Sequence, residues 1–459
     1  MSILVIKNDG VGDLILASGV IASIKKVSGE EVDLVVCQES VELAQRIPNV
    51  RNIIPVSRDG LSIDGLSSIG DTASKLDRAS LMILRRTEYN MAFSMRRYIR
   101  ESSFVLMNSI KAKKAYTAHE FLTNCDQKIA DICLGNWELI DVPDVLHEST
   151  YYQRFLKIAK SWDVEAQPNI GLDDVQQSTT TLKDGDKIAV SVSGKGIRWK
   201  DSNWFELIEL LGAKYQIILL GGSNEKPLSD KIIMKHSMVE THVGELSWSE
   251  TVEKLSEIDV LIAGDTGLAH LASLLCSRVI VIAGSEAPGR FFPWPQSTST
   301  QQILQTKIGC ADCAGICVHP SIKFCIESIK PNDVLNALQQ PSGKMVNQGL
   351  NEGQYDILTK SKLHTLKAYK QVKRSNLLKD REIIKLKAGF KKSITASEKK
   401  LQIANQIIKS RDKTIRKLRP IPFIRKTVRR LKDKTIRKLR SVSLVKKVFR
   451  QFKRAFRLK

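Results

Sequence analysis

Val260-Leu261-Ile262-Ala263-Gly264-Asp265-Thr266-Gly267-Leu268-Ala269-His270-Leu271-Ala272-Ser273-Leu274-Leu275 is the stretch that decides the fold class. Val260 to Ala263 is an unbroken apolar run, as expected of a strand buried on both faces of a parallel sheet. Gly264 and Gly267 let the chain bend and let a ligand approach the backbone. Asp265 or Thr266 can cap the helix that follows. Strand, glycine turn and helix in this order present free N–H groups and the positive end of a helix dipole, which suits a diphosphate. His270, one turn into the helix, can point at the same ligand. Taken alone, the stretch is equally an ordinary strand–turn–helix with a capping Asp and a packed His.

The chain opens with the same pattern. Ser2-Ile3-Leu4-Val5-Ile6-Lys7 reads as a strand, Asn8-Asp9-Gly10-Val11-Gly12-Asp13 as a glycine loop, and Leu14 to Ile21 as a helix. Only Gly10 and Gly12 fit a dinucleotide fingerprint, and Asp13 stands where a small residue is expected. A carboxylate at that place repels phosphate but can take a proton from a sugar hydroxyl. As a plain helix-start charge it has an ordinary reading too.

Together, Gly12-Asp13 and Asp265-Thr266-Gly267-Leu268-Ala269-His270 resemble glycosyltransferase family 9, the lipopolysaccharide heptosyltransferases, over about residues 1–340. The resemblance implies an α/β fold of the GT-B kind: two Rossmann-like domains facing a cleft. It implies inversion and a nucleotide-sugar donor, ADP-heptose; direct, metal-independent transfer with no further cofactor is the expected mechanism. Asp13 is the implied base, with Gly12 and Asp9 on the acceptor side. The donor side is assigned Asp265, Thr266, Gly267 and His270.

Two further strand-to-glycine segments extend the donor side. Ile188 to Gly196 leads into Ile197-Arg198-Trp199-Lys200, and the family places a basic residue in this loop near the donor phosphates. Lys195, Arg198 and Lys200 are all candidates, and the register between them stays open. Ile217 to Glu225 is another such turn, and Glu225 is placed to bind a ribose diol or else merely caps or faces water. Cys310-x2-Cys313-x3-Cys317-x7-Cys325 has spacing that could supply four thiolates to zinc, but packing or a local crosslink ranks ahead of a metal. Cys37, Cys125, Cys133 and Cys276 look like packed thiols.

Charge divides the chain. Of 72 Lys and Arg and 49 Asp and Glu, residues 341–459 hold 37 and 7, a net +30, so the remainder carries −7. The expected organisation is an acceptor-binding domain at 1–168, a nucleotide-sugar domain at 187–340 and a basic helical extension at 355–459, with polar linkers at 169–186 and 341–353. Strands are expected near 2–7, 32–37, 52–56 and 91–94, and near 188–193, 215–220, 258–263 and 278–284. The helix from Pro331 to Gln340 is expected to cross back to the first half. In the extension, Asp412 to Arg419 recurs as Asp433 to Arg440 at a period of 21, about six helical turns. Past Pro422, Ile424, Val428, Leu431, Val442, Val445, Phe449, Phe452 and Phe456 follow largely 3/4 spacing between basic residues. This fits an anionic membrane surface first; a coiled coil with basic flanks, a nucleic-acid-binding tail and a disordered basic tail are the alternatives. No aromatic stacking platform favours nucleic acid.

The first apolar run is too short for a leader and no run reaches a membrane span, so a cytoplasmic protein is expected, peripheral on the inner membrane face. The acceptor is expected to be a glycolipid or glycan, and Lys111, Lys113, Lys114, Arg96, Arg97 and Arg100 could meet its anionic groups or be surface charges. Two other classes stay open: a GT-B transferase using another nucleotide sugar, and a non-catalytic transferase-like protein with a membrane- or nucleic-acid-binding tail.

Overall fold

The computed structural model describes residues 2–57, 75–97, 106–118, 136–142, 147–172, 182–192, 198–308, 310–313, 317 and 323–340. The chain divides into two units, Met1–Gln354 and Tyr355–Lys459. The expected basic extension at 355–459 lies outside the described residues.

The first unit holds two parallel six-stranded sheets. The first is built from Ser2–Lys7 (β1), Glu31–Cys37 (β2), Val50–Val56 (β3), Glu88–Ser94 (β4), Lys111–Ala118 (β5) and Glu138–Ile140 (β6), in the spatial order β3-β2-β1-β4-β5-β6. The second is built from Lys187–Ser191 (β7), Gln216–Leu219 (β8), Glu240–Thr241 (β9), Val260–Gly264 (β10), Arg278–Ala283 (β11) and Thr300–Gln305 (β12), in the order β12-β11-β10-β7-β8-β9. Both are the doubly wound Rossmann order, whose strand order reverses at the first strand. In each lobe the loop after the first strand therefore opens at the switch point. Asn8 to Gly10 leave β1 there, and β7 runs out beside the Asp265 turn that follows β10.

Burial explains the strands. All six residues of β1 and of β11, and all five of β10, are buried. In β1, Ile3 and Val5 face the helices Val11–Ser28 and Glu148–Lys160, while Leu4 and Ile6 face Leu84, Leu106 and Trp137. The first of these cores continues across the lobes, from Val11 and Leu14 to Leu268, Ala269 and Trp294.

The helix Pro331–Gln339 does not return to the first half. It packs on the second sheet, with Val334, Ala337 and Leu338 in one apolar cluster with Trp204, Leu207 and Leu211. The buried Arg278 fixes it there: its guanidinium donates to the carbonyls of Ala337, Leu338 (2.9 Å) and Gln340 (3.1 Å) and to Gln302 Oε1 (2.6 Å). The chain after Lys160 does run back along the first lobe. Asn169 N donates to Ser18 Oγ at 2.7 Å, and Gln167 lies so close to Gly19 that an added Cβ there would sit 1.7 Å from its carbonyl oxygen. Gly19 is thus required by a close approach, and the polar stretch expected as linker from Asn169 begins as a docked segment.

Candidate active site

Thr266, not Asp265, caps the helix Gly267–Leu275. Its backbone is extended (φ −144°, ψ 165°) and its hydroxyl accepts from Ala269 N. Asp265 is left exposed beside the helix start, where the first N–H groups lack intrahelical partners. His270 is buried. Its ring lies on Phe292 (centroids 4.2 Å apart, planes at 10°) and beside Trp294 (5.9 Å, 13°), and its Nδ1 accepts from the Trp294 indole N–H at 3.2 Å. An indole nitrogen only donates, so the His270 proton is on Nε2, which faces Asp265 Oδ1 at 3.6 Å. The imidazole forms a wall behind the turn, with Asp265 as its outward polar neighbour.

Across from this wall stands Gly12. A Cβ built on Gly12 would lie 2.5 Å from His270 Cδ2, and one built on Gly267 would lie 3.0 Å from Val11 Cβ. The two helix starts, Val11–Ser28 and Gly267–Leu275, therefore abut through glycines, one from each lobe. Asp13 is the third residue of its helix, partly accessible, and its Oδ2 accepts from Gly10 N at 3.3 Å. Burial and the nearby Asp9 push its carboxyl up to about 7, with Glu148 adding to the rise and Lys7 and Arg290 opposing it. A carboxylate titrating near neutrality is matched to proton transfer at physiological pH.

A charged network surrounds this carboxylate, and most of it is not foreseen from sequence. Lys7 Nζ donates to Asp9 Oδ2 at 2.7 Å and to Tyr152 Oη at 2.5 Å, and lies 4.3 Å from the Tyr152 ring centroid. Tyr152 Oη donates to Glu148 Oε1 at 2.6 Å. Glu148 Oε2 takes Arg97 at 3.2 Å and Arg290 at 2.8 Å, and Glu148 N donates to the Arg290 carbonyl at 2.8 Å. Burial alone would raise the Glu148 carboxyl, but Arg290, Lys7 and Arg97 outweigh it and hold it at about 2. Tyr152, buried among carboxylates, is pushed well above the ordinary phenol range. Arg97 is thus spoken for inside the site, and Arg96 is buried with Nη1 on Asn8 Oδ1 at 3.1 Å. Neither is a surface charge. His147 caps the helix that begins at Glu148 and its Nε2 meets the Phe291 carbonyl at 3.2 Å. Burial lowers this imidazole to about 4 and keeps it neutral.

The other candidates are not gathered at this carboxylate. Lys195 and Arg100 lie outside the described residues. Arg198 pairs with Asp201 at 2.7 Å on the surface, and Lys200 with Glu327 at 2.7 Å. Glu225 closes the short turn Ser223–Glu225 after β8 and is partly accessible. Lys111, Lys113 and Lys114 are on β5 rather than in a loop. Asp265 shares a recess with Glu286, Phe291, Phe292 and Gln305. Cys310, Cys313, Cys317 and Cys325 do gather: burial first, then the other three thiols, push Cys310 up to about 11. Among the described residues no group of three or more His, Cys, Asp or Glu is placed to hold a metal ion.

The profile of glycosyltransferase family 9 (heptosyltransferase) matches residues 84–317. No curated protein sequence matches the chain. Among solved structures it resembles the family 9 glycosyltransferase of Veillonella parvula DSM 2008, with a TM-score of 0.55 and 15% identity over 74% of this chain and 98% of that one. It resembles E. coli heptosyltransferase WaaC with ADP to a similar degree, with a TM-score of 0.54 and 14% identity over 74% and 100%. E. coli ADP-heptose lps heptosyltransferase II gives 0.53 and 16% over 74% and 98%. At such identities these structures speak for the fold, and the profile, spanning just over half of the residues, speaks for the family. The chain belongs to glycosyltransferase family 9.

Proposed function

We propose that this glycosyltransferase moves heptose from ADP-heptose to a hydroxyl of a lipopolysaccharide-type or other cell-surface glycan, with inversion and without a metal. The observation that carries the reading is Asp13: a carboxylate titrating near 7, one residue from the Gly12–His270 contact between the lobes. In the reaction, Asp13 takes the acceptor hydroxyl proton as that oxygen bonds to the anomeric carbon. The bond from that carbon to the diphosphate breaks, and ADP leaves with its electron pair. The N–H groups at the start of Gly267–Leu275, together with Lys195 or Arg198, stabilise the leaving diphosphate. Asp265 and Glu225 bind donor hydroxyls, Thr266 and Gly267 shape the turn, and Asp9 and Gly12 border the acceptor. His270 supports Asp265 from behind.

The basic extension, in this reading, holds the enzyme on the anionic inner face of the cytoplasmic membrane, where a lipid-linked acceptor is presented. The reading is tested by Asp13→Asn. Transfer, followed by mass spectrometry with a panel of nucleotide sugars, should be abolished while ADP binding stays near the wild-type value. Turnover like that of the wild type would sink Asp13 as the base. A preference for a UDP- or GDP-sugar would move the donor assignment, and no transfer by the wild type from any donor would favour a non-catalytic protein.

A further inference from the structure

The charge setting of Asp13 is drawn from both lobes. From its own lobe come Lys7 and Asp9 at the end of β1, and Glu148 and Tyr152 on the helix Glu148–Lys160. From the second lobe come Arg290, in the segment after β11, and the His270 ring packed against Gly12. Arg97 reaches the cluster through Glu148. Arg290 is the one cation among these that the second lobe provides. It is held by two opposed bonds to one residue: its guanidinium Nε donates to Glu148 Oε2 at 2.8 Å and its carbonyl accepts from Glu148 N at 2.8 Å. Its guanidinium also lies over the Phe291 ring, 4.7 Å from the centroid. Both bonds to Glu148 are made across the two lobes, and removing the guanidinium would leave Glu148 with less counter-charge beside the base.

We propose that Arg290 is a positioning residue for Asp13: docked on Glu148, it carries positive charge from the donor-binding lobe to the base, so that proton acceptance depends on the two lobes being engaged. This rests on the reading of Asp13 as the base. It assigns Glu148 the role of receptor for Arg290 rather than of a second base, because its two oxygens are taken by Tyr152, Arg97 and Arg290. A nearby positive charge favours the ionised form of a carboxylate.

The test is kcat/KM for the acceptor against pH, on the full chain, for wild type, Arg290→Gln and Arg290→Lys, with ADP affinity measured alongside. Arg290→Gln should move the acid limb up by about one pH unit, so that activity falls about tenfold at pH 6.5 and much less at pH 9. Arg290→Lys, which keeps the charge, should return the limb towards the wild-type position. ADP affinity should change little in either. A uniform loss at every pH, or an Arg290→Lys profile as shifted as that of Arg290→Gln, would overturn the proposal and leave Arg290 a structural clamp. Failure of the base assignment is distinguished by Asp13→Asn, which would then keep turnover whatever Arg290 does.

Discussion

Gly12 of the first lobe and His270 of the second are in contact so close that no side chain fits between them: a Cβ on Gly12 would lie 2.5 Å from the imidazole Cδ2. The ring cannot step aside, because Phe292 stacks on it and the Trp294 indole N–H is bonded to its Nδ1. Gly12→Ala should therefore cost about 1–3 kcal/mol of stability, the usual range for overpacking a filled core. Denaturant unfolding checks this. His270→Ala in the same chain should recover part of the loss, and a double variant no better than the sum of its parts would place the strain elsewhere.

Activity should rise with pH through about 7. On the proposed reading Asp13 must be ionised to take the acceptor proton, so kcat/KM should fall about tenfold per pH unit on the acid side. Initial rates across pH 5–9 test this, and a flat profile down to pH 5 would contradict the raised carboxyl.

Asp13 and Glu148 should affect stability in opposite senses. The Asp13 carboxyl titrates near 7 in the folded chain and at 3.8 as a free side chain, so its burial penalty grows as pH rises from about 4 to 7 and is full above that. Asp13→Asn should raise the melting temperature at pH 8, with a gain that shrinks towards pH 5. Glu148 titrates near 2 against 4.5 when free. Its contribution is present above 4.5 and lost as pH falls to about 2, so Glu148→Gln should destabilise at pH 8. Thermal melts of both variants at pH 5 and 8 check the two signs together.

Arg278→Met should detach the helix Pro331–Gln339. The arginine holds Gln302 and the carbonyls of Ala337, Leu338 and Gln340, and a hydrogen bond from a charged donor typically contributes about 1.5–3 kcal/mol. Hydrogen exchange across 331–339 should speed up well before the β10 and β11 amides change. Unaltered protection there would show that Val334, Ala337 and Leu338 suffice.

The extension makes its own prediction. The full chain should float with vesicles containing phosphatidylserine or phosphatidylglycerol and not with neutral ones, and should release as salt is raised, since each basic residue near an anionic surface contributes about 1 kcal/mol. A chain ending at residue 353 should stay behind. Equal flotation of both would move membrane contact elsewhere.

The sheet centres were legible because their chemistry is local. Val260–Ala263 and Ser2–Lys7 are apolar runs next to glycine turns, and both are the innermost strands of their sheets. β5 escaped notice because Lys111, Lys113 and Lys114 read as acceptor contacts or surface charges, while only Ala115 to Ala118 turn inward. β12 escaped because Thr300-Gln301-Gln302 looks like surface, yet Gln302 is buried as the partner of Arg278. Asp13 and the Asp265 turn were found through short motifs. Glu148 and Arg290 were not, and Arg97 was named only as a possible acceptor contact or surface charge, because an ion cluster joining positions 97, 148 and 290 leaves no period or spacing in the sequence. The one available signal was chemical: a Glu directly after a capping His at the head of a helix.

The Glu148–Arg290 bond, with the glycine contact beside it, bears on how such chains diverge. Two Rossmann-like lobes suggest interchangeable modules that recombination could shuffle between relatives. Here a second lobe without an arginine at position 290 would leave Glu148 short of a partner, and a first lobe with a side chain at position 12 would collide with His270. A swap of one lobe succeeds only where the other already matches it at these two contacts.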